Sequence, residues 1–592
     1  MSRFEIKDKF LLDGEPFQII SGSIHYFRVV PEYWRDRLEK LKNMGCNTVE
    51  TYIPWNMHEP KKGEFHFEGM LDFEKFLDIA QELGLYAIVR PSPYICAEWE
   101  LGGLPSWLFN IDGMELRCKN QPYYDNITDY YKVLFPKLVN HQIDKGGNVI
   151  LMQIENEYGY YGKDTSYLKF LSDLMRDLGV TVPFVTSDGP YGKMFINGQL
   201  PGALPTGNFG SHAWTLFHAM KKMMKKNPGP LMCMEFWIGW FDAWGNKEHK
   251  GSKLKQNIKD LNYILKHGNV NFYMFHGGTN FGFMNGSNYY GHITPDVTSY
   301  DYDAPLSEDG QITPKYETFK QIIKKYRDFD DVEFTTKITR KTYGEIKAVS
   351  RIGLFENLER LSTGIKSENP KNMEALEQSY GYTLYRTEIS ADEKNKEISF
   401  KDAADRIIAY GGNKKLFTLY DKEIESAKKT LSLADGSTLD LLVENMGRVN
   451  FAGKIPYQRK GIKSDVLIGE KAHKNWEMFT IPLDEKQMSE VERLLSDSNL
   501  VNFGDKPTFT KFTFNVEEPA DTFLDFEGWG KGCAFVNGFN IGRYWEIGPQ
   551  KRLYIPAPLL KTGENTIIMF ETEGKACDFI SLKDKPDLGP KK

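Results

Sequence analysis

Two short phrases end apolar runs on carboxylates: Ile154-Glu155-Asn156-Glu157-Tyr158-Gly159 and Met234-Glu235-Phe236-Trp237-Ile238-Gly239-Trp240. Carboxyl groups from two nearby strands can face each other across a pocket. Glycoside hydrolysis needs such a pair, one acid to protonate the leaving oxygen and one carboxylate to meet the developing oxocarbenium ion. A lone glutamate at a strand end is more often a salt-bridge partner or a neighbour of a helix cap, so the weight rests on the pair. Within the first phrase, side chains two apart on a strand share a direction, and residue alternation alone leaves Glu155 and Glu157 both open.

Residues suited to a sugar stand around these carboxylates. Tyr52, Trp55, Asn56, His58 and Glu59 follow one apolar run, Tyr94, Glu98, Trp99 and Glu100 the next, and Tyr273, His276 and Asn280 a later one. A sugar offers hydroxyl edges and apolar C–H faces, so its site mixes amide or acidic partners with flat rings. Trp237, Trp240 and Trp244, crowded after Glu235, are expected to face such a pocket, whereas Trp34, Phe73 and Phe76 recur at core spacing. A metal held by His25, His58 and His276 with Glu59 or Glu98 is the rival arrangement, and it lacks HExxH-type spacing. No G-x-S-x-G follows a strand, and neither G-x-G-x-x-G after the first run nor GxxxxGK[ST] occurs, so a serine hydrolase and a nucleotide cofactor have no support. No metal and no cofactor is expected.

Elements must hold these residues at one mouth. Apolar runs occupy Phe17 to Ile24, Cys46 to Trp55, Leu85 to Arg90, Asn148 to Ile154, Val182 to Ser187, Leu204 to Phe209, Leu231 to Phe236 and Val270 to Phe275. Between them lie amphipathic stretches such as Pro31 to Met44 and Leu71 to Leu83, closed by Gly45 and Gly84. That alternation over about 330 residues predicts an α/β fold of (β/α)8 barrel type, with chemistry at the C-terminal ends of the strands. After about Arg340 the segments become short, alternating and bounded by turn residues, which predicts two all-β domains of sandwich or jelly-roll type. The expected division is a catalytic barrel over 1–334, a linker over 335–374 that wraps onto the β-domains, a first all-β domain over 375–488 and a C-terminal β-sandwich over 489–592.

The 592 residues carry 75 Lys+Arg against 81 Asp+Glu, a net charge of -6 that does not suit a phosphate backbone, so nucleic acid is not an expected partner. No apolar run approaches the roughly 20 residues of a membrane helix, and no membrane contact is expected. The charged start Met1-Ser2-Arg3-Phe4-Glu5-Ile6-Lys7 is unlike a signal peptide, which makes the cytoplasm the expected compartment. Cys46, Cys96, Cys118, Cys233, Cys533 and Cys577 are widely spread and are expected to be reduced, mostly buried thiols.

The phrases Ser21-Gly22-Ser23-Ile24-His25-Tyr26, Thr51-Tyr52-Ile53-Pro54-Trp55-Asn56-Met57-His58-Glu59-Pro60, Arg90-Pro91-Ser92-Pro93-Tyr94-Ile95-Cys96-Ala97-Glu98-Trp99, Glu155-Asn156-Glu157-Tyr158-Gly159, Gly277-Gly278-Thr279-Asn280-Phe281-Gly282 and Thr298-Ser299-Tyr300-Asp301-Tyr302-Asp303-Ala304-Pro305 resemble those of glycoside hydrolase family 35 β-galactosidases. The resemblance spans the first domain in order and continues more loosely through Leu442 to Arg448 and Phe535 to Gly538. It implies a retaining exo-β-galactosidase with Glu157 as acid/base, Glu235 as nucleophile and Asn156 on the sugar 2-hydroxyl. It further implies that Tyr52, Ala97 and Glu98 bind galactose hydroxyls, that Tyr273 sits near the nucleophile and that Tyr302 closes the pocket. Trp237 departs from members with a tyrosine there, whose hydroxyl bonds the nucleophile. Within the family the chain resembles the bacterial intracellular enzymes that trim short β-1,3-galactosides.

Stacking of an N-acetylhexosamine on Trp240 and Trp244, with Tyr457 of the second domain at the rim, is the expected basis of aglycone choice. The expected partner is a small oligosaccharide, and a homodimer is left open. Two rivals stand beside this reading: a same-fold glycosidase for glucosamine or glucose, and a sugar-binding protein without catalysis.

Overall fold

In a computed structural model that describes residues 2–226, 228–251, 253–412 and 414–591, eight parallel strands close into a barrel. They are β1 (Ile20–Ile24), β2 (Thr48–Tyr52), β3 (Tyr86–Arg90), β4 (Val149–Gln153), β5 (Phe184–Asp188), β6 (Ala203–Asn208), β7 (Met232–Trp237) and β8 (Asn269–His276). β8 returns to β1 through the pairs Val270 with Ile20 and Phe272 with Gly22. Helices cover the outside of every strand, so both strand faces are buried and the strands read as near-continuous apolar runs rather than alternating ones.

Local signals set the helices. α1 (Trp34–Asn43) buries Trp34, Leu38 and Leu41, and α2 (Phe73–Glu82) buries Phe73, Phe76, Leu77 and Ala80, as their three- to four-residue spacing requires. Gly45 and Gly84 follow with φ of +100° and +72°, the left-handed step that ends a helix with little strain only at glycine. Asp72 caps α2 by accepting from the Lys75 N–H at 3.0 Å.

The rest of the chain is largely β. A six-stranded antiparallel sheet runs in the order Ile365–Ser367, Trp476–Ile481, Tyr382–Glu388, Thr438–Glu444, Arg406–Gly411, Lys414–Tyr420. Its two faces follow the period of two: Tyr385, Ile407, Ala409, Leu441 and Val443 pack against a small four-stranded sheet. Tyr382, Leu384, Ile408 and Leu442 pack against the helix Glu485–Ser496 and the C-terminal sheet. Eight strands form that last sheet. Thr508–Val516, Lys531–Val536 and Gly563–Glu571 supply one wall of its core, and Thr522–Asp525, Arg552–Ile555 and Phe579–Lys583 the other.

The strand Gly344–Gly353 joins the two walls, pairing with Phe579–Lys583 through residues 344–347 and with Thr508–Val516 through 348–353. The polar stretch 335–374 thus contains a ten-residue strand at the centre of the C-terminal sheet. Its inner half is exposed on alternate residues, which hides it from a search for apolar runs. Cys46, Cys96, Cys233 and Cys533 are buried thiols, and Cys118 and Cys577 are half-buried. Among the described residues no helix is long and apolar enough to cross a membrane.

Candidate active site

The C-terminal mouth of the barrel holds a cavity of about 200 Å³ lined by Glu157, Glu235, Glu98 and Asn156 together with Tyr52, Ala97, Trp237, Trp240, Tyr273 and Tyr302. These ten expected residues are brought together. Glu157 lies four residues beyond the end of β4, just before the helical turn Tyr158–Tyr161, and Glu235 lies within β7. Their surroundings differ. Glu235 accepts from Arg90 Nη2 at 2.7 Å and Tyr52 OH at 3.1 Å on one oxygen, and from Trp237 Nε1 at 3.0 Å on the other. The indole N–H thus supplies, from Trp237, a donor to the carboxylate where a tyrosine hydroxyl was expected in relatives.

Among the described residues Glu157 has one side-chain donor, Asn208 Nδ2 at 3.1 Å. Burial, then the negative charge of Glu235, push its carboxyl up to about 8, against the opposing pull of Asn208 and Arg90. Glu98 is likewise pushed up to about 7, chiefly by burial, while its bond to the Tyr300 hydroxyl and the nearby Arg28 pull it down. The site therefore holds one carboxylate ringed by donors and two carboxyl groups that keep a proton near neutrality.

Glu155 is not at the cavity. β4 ends at Gln153, and Glu155 and Glu157 both take left-handed backbone, φ +57° and +48°, so strand alternation no longer applies. Glu155 turns to Arg117, which grips both its oxygens at 2.9 Å, and accepts from Tyr167 OH at 3.0 Å. It is a buried ion pair beneath the site. Asn156, between the two, accepts on Oδ1 from Tyr52 at 3.1 Å, from Gln153 at 3.3 Å and from Arg90. With three donors on its oxygen, its amide nitrogen, which donates to no protein group among the described residues, is left for a ligand.

The Ala97 wall is a tight loop in which Cys96, Ala97 and Glu98 have φ of +59°, +60° and +49°. Arg28 fixes it by donating Nη2 to the Ala97 carbonyl at 2.5 Å while Nε bonds Asn280 Oδ1 at 2.9 Å. Such strained turns persist only where the surroundings over-determine them. Tyr302, φ +63°, stands edge-on to Tyr273 with ring centroids 5.7 Å apart.

Two expected residues lie elsewhere. Trp244 is buried in the core it shares with Val297 and Ile346 beneath the C-terminal sheet, where its N–H bonds the Pro295 carbonyl at 2.9 Å. Tyr457 does not line the cavity and is 72% exposed, with Lys454 over its ring at 6.0 Å. Trp244 is corrected by long-range packing that spacing along the chain does not encode, and Tyr457 stands in solvent outside the cavity lining. The rival histidines have other partners: His58 bonds Tyr26 OH and the His66 carbonyl, His25 faces Arg28, and His276 faces Arg37.

Other functional residues carry no motif of their own. Arg90, buried at the end of β3, ties Glu235 to Asn156, and Asn208, at the end of β6, holds Glu157. A charge closing the apolar run Leu85-Tyr86-Ala87-Ile88-Val89-Arg90 was the available signal for the first. Tyr160, Tyr290, Asn288 and Phe451 complete the rim, Phe451 from the all-β part of the chain.

Comparison with known proteins gives the same assignment over the whole length. The family model for Glycosyl hydrolases family 35 matches residues 9–326, that for a beta-galactosidase first all-beta domain residues 370–483, and that for a beta-galactosidase galactose-binding domain residues 507–565. Beta-galactosidase-1-like protein 2 of Homo sapiens is 39% identical over 589 residues, covering 98% of this chain and 91% of its own. Beta-galactosidase of Mus musculus is 39% identical, covering 96% and 91%, and Beta-galactosidase 17 of Arabidopsis thaliana 38%, covering 96% and 87%. On this evidence the chain belongs to glycosyl hydrolases family 35 and is a glycoside hydrolase.

Proposed function

We propose that the protein is an exo-β-galactosidase acting with retention on short galactosides, with Glu235 as nucleophile and Glu157 as acid and base. The similarity to β-galactosidases over nearly the whole chain supports the sugar. The observation that carries the mechanism is the unequal setting of the two carboxyl groups in one cavity. Arg90, Tyr52 and Trp237 surround Glu235 with donors suited to an anion, while burial and that anion keep Glu157 protonated.

Glu235 attacks the anomeric carbon as Glu157 protonates the leaving oxygen, forming a covalent galactosyl-enzyme. Once Glu235 is esterified its charge is gone, so the second of the causes that raised Glu157, after burial, is removed and the resulting carboxylate can deprotonate water. Asn156 donates its amide to the 2-hydroxyl, a contact that strengthens in the transition state. Glu98, Tyr52 and the Ala97 backbone hold the other hydroxyls, and Tyr273 and Tyr302 shape the pocket. A cavity of about 200 Å³ suits a single terminal residue. We extend the proposal to a preference for galactose β-1,3-linked to an N-acetylhexosamine.

A proton NMR time course with galactosyl-β-1,3-N-acetylglucosamine, galactosyl-β-1,3-N-acetylgalactosamine and lactose in one tube tests all three points. Early β-galactose, drawn first from the 1,3-linked pair, is expected. Early α-galactose would overturn retention, and faster loss of lactose would overturn the linkage preference.

A further inference from the structure

Protonation by Glu157 requires the leaving group to stand on the Glu157 side of the cavity. The aromatic walls divide accordingly. Trp237 is bonded to Glu235, and Trp240 packs edge-on to Trp237 at 5.7 Å and against Phe241 at 5.1 Å, which ties this group to the nucleophile's side. Tyr160 stands on the helical turn Tyr158–Tyr161 that Glu157 opens, its N–H bonded to the Glu157 carbonyl at 3.1 Å. Phe451 meets it with ring centroids 5.7 Å apart and planes at 61°. Both rings line the cavity and both are only half-buried, so each keeps a face for a ligand.

Phe451 is held there firmly. The residue before it, Asn450, accepts on its carbonyl from Tyr94 OH at 2.5 Å and donates its N–H to the Ser287 carbonyl at 3.0 Å. Gly286 and Gly447 let the strands of this junction touch: an added Cβ would lie 2.7 Å from Asn450 Oδ1 in the first case and 2.4 Å from the Asn285 carbonyl in the second. The all-β domain therefore presents one aromatic ring to the barrel mouth from a backbone anchored to the barrel at the residue before it.

We propose that Tyr160 and Phe451 form the platform for the leaving sugar, a pyranose with an apolar face, so that aglycone specificity is set jointly by the barrel and the first all-β domain. The platform rests on Glu157 being the acid. Such a subsite is preorganised: the second domain is part of the substrate site and not only a brace for the barrel.

The test compares kcat/KM for galactosyl-β-1,3-N-acetylglucosamine and lactose with that for β-galactosyl fluoride, whose leaving group carries no ring. Phe451→Ala is expected to lose about tenfold more on the disaccharides than on the fluoride, the scale of one aromatic face. Phe451→Tyr and Tyr160→Phe keep the rings and should keep the wild-type ratio, which separates stacking from misfolding. Equal losses on both substrate types, or an unchanged ratio in Phe451→Ala, would overturn the platform. A ratio that shifts in Trp240→Ala and not in Phe451→Ala would move the subsite to the nucleophile's wall. Turnover of neither substrate type by the unaltered enzyme would instead bring down the galactosidase reading, and the platform with it.

Discussion

Glu157 keeps its proton partly because Glu235 lies beside it. The charge on Glu235 is the second cause, after burial, that raises Glu157, so Glu235→Gln should lower the Glu157 value from about 8. A carbon-13 NMR titration of labelled glutamate reads this directly, and an unmoved value would mean that the two groups do not communicate. Glu157→Gln should slow substrates with poor leaving groups by about 10² to 10⁴ and activated aryl galactosides far less, because only the former need the proton. Azide should restore turnover with formation of β-galactosyl azide; rescue without that product would remove Glu157 from the role. The pair was legible in the chain because both residues end apolar runs. The choice between Glu155 and Glu157 was not, since it depends on two left-handed residues after Gln153 that send Glu155 to Arg117. Arg90 and Asn208 were hidden for another reason: an arginine or asparagine at a strand end is common, and only the closed barrel shows which side chain each one meets.

The strands were readable because a strand covered on both faces leaves an unbroken apolar run, and the observed eight fall inside or within a few residues of those runs. Their ends were less so. Cys46 to Trp55 runs on past β2 because Ile53 and Trp55 are buried in the helical turn that follows. The loops that complete the site are placed by contacts invisible in sequence. Gly239, after β7, lies so close to the 300–303 loop that a Cβ there would stand 1.6 Å from the Tyr302 carbonyl oxygen, and Gly277, after β8, 1.5 Å from that of Tyr300. Those carbonyls are backbone, so the clash cannot be relieved by a rotamer change. Gly239→Ala must push away the loop that carries Tyr302 and, through Tyr300, the partner of Glu98. We expect a loss of about 1–3 kcal/mol in stability, typical of overpacking, and a raised KM for every β-galactoside. Calorimetry with kinetics at a temperature well below unfolding checks both, and an unaltered KM would show that the loop does not shape the galactose pocket.

Packing between domains is where reading along the chain fails and where the whole molecule adds something new. Trp244 was drawn toward the pocket by its nearness to Glu235 in sequence, but the C-terminal sheet claims it. Arg448 of the all-β part, buried, reaches Glu100 and Glu374 and so locks the barrel loop beside Glu98 to the second domain. Many acidic groups are closed in by this assembly, and their protons bear on its stability. Burial raises Glu98 to about 7 and Glu157 and Glu308 to about 8. Burial works against charge on His249 too, but its bonds to Asp242 and Asp301 outweigh it and lift the imidazole to about 9. A group raised on folding contributes stability that is fully present below its unfolded value and lost as pH rises through its folded value. Unfolded glutamate releases its proton near 4.3 and histidine near 6.5. Between pH 6.5 and 7, therefore, the folded protein holds protons at these four sites that the unfolded chain has largely lost, and up to pH 8 it still holds them at Glu157, Glu308 and His249, so stability must fall. His25, His58 and His276, held below the ordinary range chiefly by burial, take up protons on unfolding near and below pH 6.5 and so oppose the trend only at the acid end of the interval, where four held protons outweigh three half-taken ones. Lys531, pushed down to about 8 by burial, acts in the opposite sense only above that value. Tm should thus drop steadily from pH 6.5 to 8, with protons released on unfolding in calorimetry across buffers of different ionisation enthalpy. Glu308→Gln, which leaves the cavity lining untouched, should flatten part of that slope. A Tm that held level or rose over this interval would mean that the buried carboxyl groups are already ionised in the folded protein, and Glu157 could not then be the proton donor near neutral pH.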